Sequence, residues 1–104
     1  MSLFKIDESK QLATVQTAIV TRTQARLDAF ARTRGYDSIL SACTYVTDIN
    51  PKFVGEGQYC VEARSATWGK LYEIFNEVAA GTRVAPASFE EIESELPVLS
   101  WPTE

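Results

Sequence analysis

Apolar residues recur at spacings of three and four through most of the chain, the signature of helices that bury one face. From Glu8 to Arg34 there is no proline or glycine, and Leu12, Val15, Ile19, Thr23, Leu27 and Phe30 fall on one side. This predicts a long first helix, started by Asp7 or Ser9 and stopped by Gly35. A break near Thr21 to Thr23 is the alternative, because Val20, Thr21 and Thr23 are β-branched. Ahead of it, Leu3, Phe4 and Ile6 form a short apolar arm that either packs on its own domain or inserts into a neighbouring subunit.

Gly35-Tyr36-Asp37 makes a short turn, with Asp37 as the expected cap of a second helix from Ser38 to about Thr47. Asn50 and Pro51 are then a cap and a first-turn proline for a long central helix that ends at Gly81. Its expected stripe runs through Phe53, Gly57, Cys60 or Val61, Arg64, Trp68, Leu71 or Tyr72, Phe75 and Val78. Trp68 is the expected core anchor. Arg64, inside that stripe, is read as a snorkelling tie to a carboxylate such as Asp37 or Glu62. Gly55 and Gly57 mark a frayed turn or a close helix approach, and Gly69 leaves room for a crossing helix.

Ser88 to Glu91 has the form of a capping box opening a short helix that Pro97 ends. Leu99 and Trp101 lie in an extended, proline-bracketed tail and either clasp the domain or touch a partner. The expected fold is therefore all-α: a bundle of three to four helices with a long N-terminal helix and an apolar arm. Residues 1–25 are expected to form the arm and a protruding half-helix, 26–97 the bundle, and 98–104 an extended tail.

Composition narrows the function. The chain has 104 residues, 45% hydrophobic and 23% charged, which suits one folded domain. A net charge of −4 argues against nucleic acid as a partner, and the arginines at 22, 26, 32 and 34 read as a solvated helix face. No apolar run is long enough to span a membrane, and the first ten residues lack the pattern of a secretory signal. Histidine is absent, which removes the commonest general base and metal ligand. Cys43 and Cys60 read as small buried hydrophobes, and the Glu90, Glu91, Glu93, Glu95 cluster as a solvated face, not a calcium loop. Neither an enzyme, a cofactor, a metal site nor a small-molecule substrate is expected. Binding or structure is.

Residues 26–97 carry a pattern: Arg-Gly-Tyr-Asp at 34–37, Ser-Ala-Cys at 41–43, Tyr45, Asn50-Pro51, Glu56-Gly57, Arg64, Trp68, Gly81 and Glu95-Leu96-Pro97. This pattern resembles a small family of tailed-bacteriophage and prophage proteins encoded among tail and tail-fibre genes. The resemblance implies a structural component of the tail, made in the host bacterial cytoplasm and located in the virion. Such a component would self-associate or dock on a larger tail or fibre protein. Alternatives are a non-virion fibre-assembly chaperone and a small regulator binding a host protein. Most matching residues, Gly35, Asp37, Asn50, Arg64, Trp68 and Gly81, have structural roles by the reading above, as does Ser88. The contact surface is therefore expected outside them, at Leu3, Phe4, Ile6, Leu12, Val15, Ile19, Leu99 and Trp101.

Overall fold

The computed structural model describes the backbone of residues 2–103 and the side chains of residues 12–103. The fold is all-α. Helix α1 spans Ser2–Arg32, α2 Ile39–Cys43 and α3 Pro51–Ala79. A 3-10 turn at Thr44–Thr47 follows α2, and two more, Phe89–Glu91 and Glu93–Glu95, precede the tail. Among the described residues there is no strand, and no helix is long and apolar enough to cross a membrane.

α1 is continuous through Thr21 to Thr23. The fully buried Thr23 hydroxyl donates to the Ile19 carbonyl at 2.7 Å, so this polar group is satisfied inside the helix. The helix begins at Ser2, so Asp7 and Ser9 lie within it and do not cap it. The backbone of the expected arm thus continues the helix, while the side chains of Leu3, Phe4 and Ile6 lie outside the described residues.

Both glycine stops work as expected, for a checkable reason. Gly35 and Gly81 have φ of 87° and 79°, a left-handed conformation that only glycine adopts at little cost. Tyr36 N–H then donates to the Ala31 carbonyl at 3.3 Å, and Thr82 N–H to the Glu77 carbonyl at 3.0 Å. These bonds satisfy carbonyls that the helix ends leave free. At the start of α3, Asn50 Oδ1 accepts from Lys52 N–H at 2.9 Å, with Pro51 in the first turn.

Two caps differ from expectation. α2 is capped by Ser38, whose Oγ accepts from Ser41 N–H at 3.1 Å, not by Asp37. Asp28 of α1 accepts a second N–H, that of Ile39, at 3.0 Å, so the start of α2 is fastened to α1. Asp37 contributes only its carbonyl, to Arg32 Nε at 3.0 Å. Ser88 occupies the cap position of its turn without a capping bond. The box is not made: Glu91 Oε1 accepts from the N–H of Ala87, the residue before the cap, at 3.2 Å, and a 3-10 turn forms instead of an α-helix.

α1 and α3 run antiparallel, because Ile19 packs with Leu71 and Ile74 while Leu27 and Ala31 pack with Cys60. One core group joins Ile19, Leu71 and Ile74 to Phe89, Ile92 and Leu96 of the C-terminal turns. The other joins Leu27 and Ala31 to Tyr36, Ile39, Ala42 and Cys60. Trp68 touches both, half-buried at their seam, rather than anchoring the interior. The buried stripe of α3 is Glu56, Gly57, Cys60, Ala63, Thr67, Leu71 and Ile74. It is built largely of small residues because α2 crosses very close. A Cβ on Gly57 would lie 2.8 Å from the Val46 nitrogen and 2.9 Å from the Tyr45 carbonyl carbon. At Gly69 no neighbour lies within 4 Å of such a Cβ, so that glycine makes room for nothing. The molecule is elongated, 62 × 24 × 20 Å, with a radius of gyration of 16.9 Å, against about 13 Å for a compact domain of this size.

Candidate contact surface

The pattern residues at 34–36 and 56–57 meet at one end of the α1–α3 pair. Glu56 is 5% exposed. One of its oxygens accepts from the Tyr36 hydroxyl at 2.8 Å, and the other pairs with the Arg34 guanidinium. Burial, and next the hydrogen bond to Glu56, holds the Tyr36 phenol well above its ordinary pKa. Arg34 also lies over the Trp101 ring, 5.1 Å from its centre. A buried carboxylate with both oxygens engaged needs these partners, since an unpaired buried charge is strongly destabilising. This cluster, and not Arg64, is the internal tie. Arg64 is exposed and makes no ion pair among the described residues.

The arginines of α1 also fasten the chain to itself instead of forming a merely solvated face. Arg26 Nη2 donates to the Pro97 carbonyl at 2.9 Å, and Arg22 meets Glu90 at 2.8 Å and covers the Phe89 ring. Trp101 stacks on Phe30 with centroids 4.2 Å apart, and its indole N–H donates to Thr33 Oγ1 at 2.8 Å. Leu99 packs on the same core group, and Ser100 N–H donates to the Tyr59 hydroxyl at 2.8 Å. The tail therefore clasps its own domain, and Leu99 and Trp101 are not set out for a partner.

The remaining expected contact residues divide. Ile19 has no exposed surface and belongs to the core, so it cannot be a docking residue. Val15 is half-buried against the same core group. Leu12, at 40% exposed, keeps a free side chain. The packed body thus reaches Val15, and the stretch 15–25 is part of the bundle rather than a protruding half-helix.

A different surface is open. Between α1 and α3, on the side facing away from the C-terminal turns, runs a groove of about 720 Å³. Val20 and Gln24 line one wall, and Arg64, Trp68, Tyr72 and Phe75 the other. Val20 is 41% and Tyr72 64% exposed. The groove continues N-terminally along Ala13, Gln16 and Thr17. Sequence reasoning missed it by taking Ile19 alone for the stripe of α1 and by leaving Leu71 and Tyr72 as alternatives for a single place on the stripe of α3. In Ile19-Val20 and Leu71-Tyr72 the first member is buried and the second lies on the groove side. Doublets at those positions widen an apolar stripe, and that was the available signal.

Both cysteines are free, Cys60 buried and Cys43 half-buried. Burial, above all, pushes the Cys60 thiol up to about 12, so it behaves as the small hydrophobe its position suggests. Compared with models of known protein families, with curated proteins and with solved structures, the chain shows no significant match.

Proposed function

We propose that the chain is a small structural component of a bacteriophage tail, located in the virion, which acts by protein contact and carries out no catalytic step. It self-associates or docks on a larger tail or tail-fibre protein. The observation that carries this reading is the groove between α1 and α3. It is an aromatic and aliphatic channel between the two long helices, flanked by the exposed Arg64 and covered neither by the arginine ties nor by the tail. Two antiparallel helices with a third side uncovered present the surface on which a further helix packs in a bundle. The assignment to a tail rests on the resemblance of residues 26–97. In that stretch the pattern residues Gly35, Tyr36, Glu56 and Gly57 fall where the fold depends on them.

Quantitative proteomics of purified virions tests the reading. A fixed copy number per particle is expected. Abundance in the infected-cell lysate with none in mature particles would refute it and favour a chaperone of fibre assembly.

A further inference from the structure

A second copy of the same chain carries a segment that can reach the groove. α1 begins at Ser2, whereas the antiparallel α3 ends at Ala79, five residues past Ile74, which packs with Ile19. Residues 2–14 therefore run on past the packed turns for roughly 20 Å at 1.5 Å per residue. Their sequence includes Leu3, Phe4, Ile6 and Leu12. A continuous helix cannot turn back onto the groove beside its own later turns. The corresponding groove of another copy is open to it.

We infer that two copies pair antiparallel through α1, each laying its N-terminal turns along the α1–α3 groove of the other. The inference rests on the reading of this chain as a protein-contact module and names the partner as a second copy. The register follows from the lengths. For the stretch around Leu3 and Ile6 to reach Gln24 and Val20 of the other copy, the numbers of opposed residues must sum to about 26, which sets the two-fold axis beside Ala13. That part of the helix suits an axis. Ala13, Thr14, Thr17 and Ala18 line one exposed, small-residue surface there, which lets two helices approach closely. The Thr17 hydroxyl already donates to the Ala13 carbonyl at 2.9 Å, so covering it leaves no unpaired donor. Because each copy gives the same surfaces that it receives, the contact closes at a dimer.

Sedimentation equilibrium of the full chain is expected to show a monomer–dimer equilibrium. Val20→Glu and Tyr72→Glu, both at exposed positions, are expected to keep the helical circular dichroism of the parent and weaken the dimer by about tenfold or more each. Under mild oxidation Ala13→Cys is expected to give a cross-linked dimer, while Thr21→Cys, whose two copies would lie far apart in this register, is not. A chain that stays monomeric at every concentration overturns the inference. So does a dimer indifferent to both groove substitutions, or cross-linking at Thr21 as readily as at Ala13. A monomer that is nevertheless present in virions ends self-pairing and leaves the tail reading standing, pointing to another tail protein in the groove. A dimer absent from virions does the reverse.

Discussion

Gly57→Ala sets two large effects against each other inside one helix. By propensity alone, alanine in a helix interior is favoured over glycine by about 1 kcal/mol. At Gly57, however, the added Cβ would sit 2.8, 2.9 and 3.0 Å from backbone atoms of Val46, Tyr45 and Ala42. Those atoms cannot swing aside as the end of a long side chain could. α2 and the turn after it must retreat by several tenths of an ångström, loosening Ala42 and Ile39 against Cys60. Overpacking of this kind costs about 1–3 kcal/mol. With three backbone contacts at or below 3.0 Å, the upper half of that range applies. The net loss expected is about 1–2 kcal/mol, or a Tm lower by roughly 5–15 °C for a domain of this size. Gly69→Ala is the control, because it is in the same helix with no neighbour within 4 Å. It should raise Tm by roughly 3–6 °C through propensity alone. Thermal and urea unfolding of both variants reads the sign directly. If Gly57→Ala is as stabilised as Gly69→Ala, the close crossing of α2 over α3 is wrong.

Three further outcomes are expected. Trp101→Ala removes the stack on Phe30, the bond to Thr33 and the surface under Arg34, and should lower unfolding free energy by about 2–3 kcal/mol in urea titrations. An unchanged urea midpoint would show that the tail does not clasp the domain. The Tyr36 contribution to stability should be constant up to about pH 10, the ordinary tyrosine pKa, and fall above it, because the unfolded chain releases the Tyr36 proton there while the folded form retains it; this loss adds to the one that the raised Cys60 thiol begins near the ordinary cysteine pKa of 9.0. Tyr36→Phe should therefore flatten the alkaline limb of stability against pH, and an equally steep limb in that variant would place the lability elsewhere. In the native protein a thiol reagent should label Cys43 and leave Cys60 unreacted until the chain is unfolded; equal labelling rates would contradict the packing of Cys60.

What could be read from the sequence was what local chemistry decides. Gly35, Gly81 and Asn50-Pro51 act within one helical turn of their own positions, so residue type alone placed the ends of α1 and α3. The capping of α2 was harder, since Asp37 and Ser38 are adjacent residues that both cap well. The choice turned on Asp28, which serves the N–H of Ile39 from eleven residues away. The stripe of α3 was misread through size. Phe53, Trp68 and Phe75 look like core, yet the close passage of α2 calls for Gly57, Cys60 and Ala63 on the buried side and moves the aromatics to its flanks. Glu56 was invisible as a core residue because its partners, Arg34 and Tyr36, are twenty or more positions distant. The groove was hidden for a related reason. Which member of an apolar doublet faces the core depends on the crossing of α1 and α3, and spacing alone does not specify it.

Whether the α1–α3 groove is the contact surface can be read at the groove itself. The chain has two tryptophans, and Trp101→Phe leaves Trp68, on the groove wall, as the only indole while keeping an aromatic ring on Phe30. Acrylamide quenching of that single tryptophan, followed as protein concentration is raised, should become weaker as a second copy covers it, and Tyr72→Glu should abolish the change. Quenching that stays constant from dilute monomer to a demonstrated oligomer would mean that association uses another face.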